Sequence, residues 1–307
     1  MFHRVLVSVD SVAHASSATE VAGHLALRSG ASVVLVHVEE PVSSLQDVVS
    51  ATQELERSVK GLHDRGVDVR HFVEYGDPRA AIVDAVASEH ADLVILVPRR
   101  RTRLEAMLQP SVTARMLSDS PAALLIWPEG MPARVASSFL RLPGAAVIVP
   151  LDGSTLAEQA LPFAADFAER YDCPLLLVRV VDGVPSAARD VASGSLESER
   201  VLESEESAGR YLATIRKRLG ASGSVPVQSM ILHGVTDREL VRLAQSYAGS
   251  LMVMSTHGRS GIARALLGSV ATKVIRETAV PVLVIPPHAH RVAAPAEEPA
   301  VARSPTA

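Results

Sequence analysis

Short runs of valine, leucine and isoleucine alternate with longer amphipathic stretches along most of the chain. In the second half the runs Ala146 to Pro150, Leu175 to Val181, Val225 to Leu232, Leu251 to Ser255 and Val280 to Ile285 read as apolar on both faces. That pattern predicts strands covered on both faces, as in a parallel sheet layered by helices. The stretches between them have helical spacing. Leu156, Ala160, Ala164 and Phe167 share one face, and Thr155 with Glu158 forms a capping-box pattern. Pro162 predicts a kink in that helix or a late start to it. Residues Ser269 to Thr278 predict a further helix. Five strands in β-α-β alternation give a doubly wound sheet.

The first half carries the same pattern, so the chain contains a long internal repeat. Tyr75-Gly76-Asp77-Pro78 matches His233-Gly234-Val235-Thr236 at an offset of 158 residues, which also aligns Leu93 with Leu251, Ser111 with Ser269 and Leu124 with Val282. Val5 to Asp10 matches Val147 to Asp152 at the smaller offset of 142. The difference predicts about 16 additional residues in the second half, between Asp182 and Glu199, where Gly, Ser, Pro and Ala accumulate. Two repeats of this length indicate tandem domains rather than a solenoid. The predicted fold is therefore α/β, with two tandem doubly wound five-stranded parallel-sheet domains. They are expected at residues 1–128 and 145–287, joined by a Gly- and Pro-containing linker at 129–144. Residues 288–307 are rich in Ala and Pro without periodicity and are expected to form a disordered tail.

Composition narrows the functional classes. Aromatic residues are 3% of the 307, so the core is built from aliphatic side chains. A formal net charge of −4 argues against nucleic-acid binding through a bulk positive field. The single cysteine, Cys173, excludes an internal disulfide and suits a reducing compartment. The Met1 to Asp10 start lacks the apolar core of a signal peptide, and no stretch has the roughly 18–20 apolar residues of a membrane span. A cytoplasmic location is the expectation.

The candidate chemistry lies near the end of the second half. The apolar run Leu251 to Met254 leads into Ser255-Thr256-His257-Gly258, then nine residues, then Gly268-Ser269-Val270-Ala271 at the start of a predicted helix. The first amides of a helix have no internal partners and carry partial positive charge. Gly268 allows close approach of an anion to the backbone, and Ser269 adds a hydroxyl donor, so the segment suits a phosphate. Neither G-x-x-x-x-G-K-[ST] nor G-x-G-x-x-G occurs in the chain.

The spacing does resemble the nucleotide loop of the universal stress protein family: Gly, two residues, Gly, nine residues, Gly, then Ser or Thr. Gly258, Arg259 to Leu267, Gly268 and Ser269 match, and Ser255 stands at the first glycine. Val149 to Ser154 and Pro281 to Pro286 extend the resemblance, which covers nearly everything outside the linker and tail. It implies an adenine nucleotide alpha hydrolase-like fold that binds ATP, with or without Mg2+. The ligand would sit at the carboxyl ends of the first and fourth strands, at Pro150, Leu151, Asp152, Met254, Ser255, His257 and Gly258. Asp152 would contact the adenosine and Val180 would wall the adenine. Gly258, Gly268, Ser269, Val270 and Ala271 would hold phosphate and ribose.

Each residue also has a plainer reading. Asp152 can cap its own turn, Ser269 can serve as an N-cap, and His257, Arg259 and Arg264 can face solvent. Met252 and Met254 have the spacing of core residues. In the first half Asp10 persists, but Arg99, Arg100 and Pro110 stand where His257, Gly258 and Gly268 do, and Ser111 alone survives from the loop. One nucleotide per chain is the expectation. Arg99, Arg100, Arg101 and Arg103 form a basic loop, read as solvated or as an anion patch. His288 and His290 form a metal-type pair within the expected tail.

Metalloprotease, dithiol, nucleophile-elbow and Walker motifs are all absent. A non-catalytic nucleotide-binding stress protein, a nucleotide-free dimerising scaffold and a slow ATPase using Asp152 and His257 are the readings left. The resemblance also implies pairing through the last strand of each domain. An internal pseudo-dimer would use Ala122 to Ile126 and Val282 to Ile285, and a chain-to-chain homodimer is a further option.

Overall fold

The computed structural model describes residues 2–9, 12–39, 45–98, 112–128, 130–132, 135, 138–182, 196–221, 225–255 and 268–286. In the first half they form β1 (Arg4–Ser8), α1 (Val12–Ser29), β2 (Ser32–Glu39), α2 (Leu45–His63), β3 (Val69–Tyr75), α3 (Pro78–Ser88), β4 (Leu93–Leu96), α4 (Val112–Asp119) and β5 (Ala123–Ile126). The second half gives β6 (Val147–Pro150), α5 (Thr155–Glu158), α6 (Leu161–Tyr171), β7 (Leu175–Val181), α7 (Leu196–Gly220), β8 (Val227–His233), α8 (Thr236–Ser246), β9 (Leu251–Ser255), α9 (Ser269–Glu277) and β10 (Val282–Ile285).

All ten strands lie in one sheet, in the order β3-β2-β1-β4-β5-β10-β9-β6-β7-β8. Every neighbouring pair is parallel except β5 with β10, which run antiparallel with Leu283 opposite Leu125. Those two leucines are related by the 158-residue repeat. On either side Val282 faces Ile126 and Val284 faces Leu124, so the junction is a quasi-twofold exchange of equivalent strands. The pairing of the two last strands anticipated from sequence is present, and it buries both edges within the chain.

Side chains on successive strand residues enter two cores. Val5, Val7, Val147 and Val149 pack with α1, α2, α6 and α7 on one face. Leu6 and Ile148 pack with α3, α4, α8 and α9 on the other. This two-sided burial is why the inner strands lack polar alternation, whereas the outer strands β3 and β8 are half-buried or exposed.

Local detail departs from the sequence pattern at prolines. The predicted strands at Val225 and Val280 begin at Val227 and Val282, after Pro226 and Pro281. Proline has no amide hydrogen for the ladder, although its carbonyl still accepts: Leu175 N donates to Pro226 O and Met252 N to Pro281 O. Pro162 marks a late start. α5 ends at Glu158, and α6 restarts with Pro162 in its first turn.

The offset of 158 is written in the backbone too. Gly76 and Gly234 have φ of +128° and +134°, a region closed to side-chain-bearing residues. Each donates its amide to the end of a neighbouring strand, Gly76 to Glu39 O and Gly234 to Val181 O.

The segment between the halves is not a plain solvated connector. Phe139 is fully buried and Leu140 nearly so, and Leu140 N donates to Gly249 O at 2.7 Å. Phe139 meets Trp127 edge-on at 5.6 Å and lies 5.2 Å from Tyr171, ring centre to ring centre. The Gly and Pro residues around it predict turns, and the pattern carries no sign of this aromatic anchor. Residues 288–307, expected as a tail, lie outside the described residues. No helix among the described residues is long and apolar enough to cross a membrane.

Candidate functional site

In the second half the strand order reverses between β6 and β9. The chain leaves β6 for helices on one face of the sheet and leaves β9 for α9 on the other, so a crevice opens outside their carboxyl ends. Val147 and Ile148 pair with Leu251 and Met252. The strand ends that follow bring Pro150, Leu151 and Asp152 alongside Met254 and Ser255. These five sequence-predicted residues therefore share one rim of the sheet.

The β6 end is held firmly. Leu151 is buried, and its amide donates to Val178 O at 2.8 Å. Asp152 Oδ1 accepts from the Ser154 amide at 2.9 Å and from the Ser154 hydroxyl at 2.6 Å. The plainer reading of Asp152 as a turn residue is thus present in the structure. Gly153, at φ +86°, makes the turn, and Ser154 is extended, which suits an N-cap. Ser154 Oγ accepts from Ala157 N at 3.1 Å. The N-cap is therefore Ser154, one residue before the expected Thr155, and no capping box forms, because Ala157 stands at N3. Glu158 instead accepts from the Tyr211 hydroxyl at 3.1 Å and from Arg218 at 2.7 Å.

Val180 is half-buried and packs with the second core cluster at the exit of β7. Met254 belongs to that cluster and is 6% exposed, so its side chain is core. Ser255, opposite Ile285, is half-buried at the mouth of the crevice.

The other half of the site is the α9 N-terminus. Gly268, not Ser269, is the N-cap, with φ −54° and ψ 143°. These are ordinary angles, so glycine is not required there by conformation; what it supplies is the absence of a side chain. The first intrahelical bond runs from Thr272 N to Gly268 O at 2.9 Å. The Ser269, Val270 and Ala271 amides precede it, and the Gly268 N-cap has no side chain to cap them. Ser269 is exposed, whereas the Ala271 methyl is buried in the core. Next along the helix, Lys273 reaches Asp237 of α8 at 2.8 Å, and this hydrogen bond holds the Asp237 carboxyl below its usual range. His257, Gly258 and the following loop lie outside the described residues, as do Asp10, Arg99 to Arg103, Pro110 and Ser111. Among the described residues no group of three or more His, Cys, Asp or Glu is placed to hold a metal.

Two polar arrangements near the strand ends were not foreseen. On β7, Arg179 donates to Leu151 O at 3.4 Å, with its guanidinium 5.6 Å from the centre of the Tyr211 ring. At the matching place on β2, buried His37 lies 2.6 Å from Val9 O and 2.8 Å from Glu39. The signal was available: Arg179 and His37 interrupt otherwise apolar strands, and a polar group there demands a partner. Burial, and next the adjacent Glu158 carboxylate, push the Tyr211 hydroxyl above its ordinary value, so it remains a donor.

Comparison with known proteins accords with this geometry. The model of the universal stress protein family matches residues 1–128 and 145–286. A universal stress protein of Mycobacterium tuberculosis is 30% identical over 229 residues, covering 72% of this chain and 70% of that one. Universal stress protein E of Escherichia coli K12 is 25% identical over 260 residues, covering 82% and 79%. The crystal structure of a universal stress protein from Archaeoglobus fulgidus superposes with a TM-score of 0.67 at 18% identity, over 92% of this chain and 95% of that one, a likeness of fold. The chain belongs to the universal stress protein family, with two tandem family domains.

Proposed function

We propose that this universal stress protein binds one adenine nucleotide, ATP in the first instance, in the crevice between β6 and β9 of its second domain, and acts through the bound state rather than by turnover. The observation that carries the reading is the pairing of a reversed strand order with a helix N-terminus whose N-cap, Gly268, has no side chain, followed by Ser269. In this reading the Ser269, Val270 and Ala271 amides and the Ser269 hydroxyl receive phosphate. Val180 and the backbone beside Pro150 and Leu151 bound the base. The Asp152 carboxylate, already ordered by Ser154, accepts from the adenosine. His257 and Gly258 complete the loop as the sequence spacing implies, and Mg2+ would arrive with the phosphates. The domains are taken as 1–128 and 145–287, and a stress-response role as sensor or regulator follows from the family.

The test is the small-molecule content of protein purified from cells, read by mass spectrometry after denaturation, followed by calorimetric titration with ATP. An adenine nucleotide near one per chain is expected. Protein that carries none and takes up none on titration would leave the scaffold reading, which rests on the β5–β10 junction.

A further inference from the structure

A closed circuit of contacts surrounds the end of β6. Asp152 accepts from Ser154, and Ser154 caps α5 at Ala157. The next residue, Glu158, accepts from Tyr211 and Arg218 of α7. The Tyr211 ring lies beneath the Arg179 guanidinium, and Arg179 reaches Leu151 O, one residue before Asp152. Each link is modest on its own, but a closed set of polar contacts limits the turn more than the separate pairs do.

The matched positions of the first half hold different residues. Ser16 stands for Glu158, Gln53 for Tyr211, Lys60 for Arg218 and His37 for Arg179. A side chain on the second strand still meets the strand-end carbonyl there, through His37 and Val9. The tyrosine-to-carboxylate residues that tie the turn to the long helix occur only in the half with the intact phosphate loop sequence.

We propose that Tyr211 is a positioning residue for the nucleotide turn, fixing Leu151 to Glu158 so that Asp152 is presented to the ligand and making nucleotide affinity depend on how α7 is seated. This rests on the nucleotide reading above. By linkage, bound nucleotide would in turn hold α7 against the turn, which gives the long helix a means of reporting occupancy.

The experiment uses the full chain. Tyr211→Phe deletes the hydroxyl and keeps the ring; Glu158→Gln keeps an oxygen acceptor for Tyr211, and Glu158→Leu removes it. ATP affinity by calorimetry, amide exchange across residues 151–158 and thermal midpoint are measured for each. Tyr211→Phe and Glu158→Leu are expected to weaken ATP binding by about threefold to tenfold, the scale of one lost hydrogen bond, and to speed exchange in the turn. Glu158→Gln is expected to stay within about twofold of wild type. If wild type binds ATP and Tyr211→Phe binds it equally well, the positioning role fails while the nucleotide reading stands. A lower thermal midpoint with affinity unchanged likewise overturns it. If wild type binds no adenine nucleotide, both fail.

Discussion

Arg28 and Arg170 cap each other's helices. The Arg28 guanidinium donates to the Arg170 carbonyl in the last turn of α6 at 2.5 Å, and Arg170 returns a bond to the Arg28 carbonyl at the end of α1 at 3.3 Å. The two arginines are equivalent under the 142-residue offset, so the quasi-twofold relation at Leu125 and Leu283 reappears on the helical layer. Each places a cation at a helix C-terminus, where orphan carbonyls and the helix dipole favour it.

Such self-matching predicts what the second domain does alone. A fragment of residues 145–290 exposes β10, and a second copy can supply the same strand, with Leu283 opposite Leu283 and Arg170 opposite Arg170. A homodimer is the expected mass in solution by light scattering. A monomer at high concentration contradicts the edge-pairing account.

Phe139 anchors the segment between the domains, fully buried among Trp127, Tyr171 and His24. Phe139→Ala should destabilise the protein by about 3–5 kcal/mol, the usual cost of emptying a buried aromatic site. Chemical denaturation measures it; a loss below about 1 kcal/mol would mean the segment is dispensable to the core.

His24 gives the interface a pH dependence. Burial, then the charges of Arg28, Arg141 and Arg65, lower its pKa from 6.5, with Glu20 opposing. A histidine whose folded pKa is depressed contributes stability above its unfolded value, and that contribution is lost as pH falls through 6.5 toward the folded value. Urea midpoints should fall between pH 7.5 and pH 5.5, and His24→Gln should flatten that part of the profile. An unchanged slope in the variant assigns the effect elsewhere.

Gly268→Asp would set a carboxylate at the N-cap of α9, where glycine has none. An N-cap aspartate suits a helix, so the fold should hold, while phosphate is displaced. ATP affinity should drop at least about tenfold, roughly 1.4 kcal/mol. A folded variant with wild-type affinity removes the phosphate role from this helix.

Stoichiometry separates the two domains. With Arg100 and Pro110 in place of the loop glycines, the first domain is expected to bind no ATP in the family's manner. Titration should saturate near one site per chain. Saturation at two would show that the first domain retains a site despite those substitutions.

The inner strands, their order of appearance and the repeat were legible because burial on both faces leaves an apolar signature. Helix starts were less so. Thr155 and Ser154 are both good cap residues, and the choice between them lay in Gly153's left-handed turn, which the pattern does not encode. At the candidate site, Pro150 and Ser255 could be placed because they end strands, and Asp152 because it follows β6 by two residues. Tyr211 could not, because it acts on Glu158 from 53 residues away, in a helix whose register against β6 is a tertiary fact.

The single antiparallel step at β5–β10 has a vectorial outcome. Strands of the first domain point their carboxyl ends one way and those of the second domain point theirs the other, so the β1/β4 and β6/β9 crevices open on opposite rims of one continuous sheet. A nucleotide held as proposed would sit at the end of the sheet away from the carboxyl ends of the first domain's strands. The molecule is in effect two-headed, its two sets of strand ends facing away from each other across one sheet.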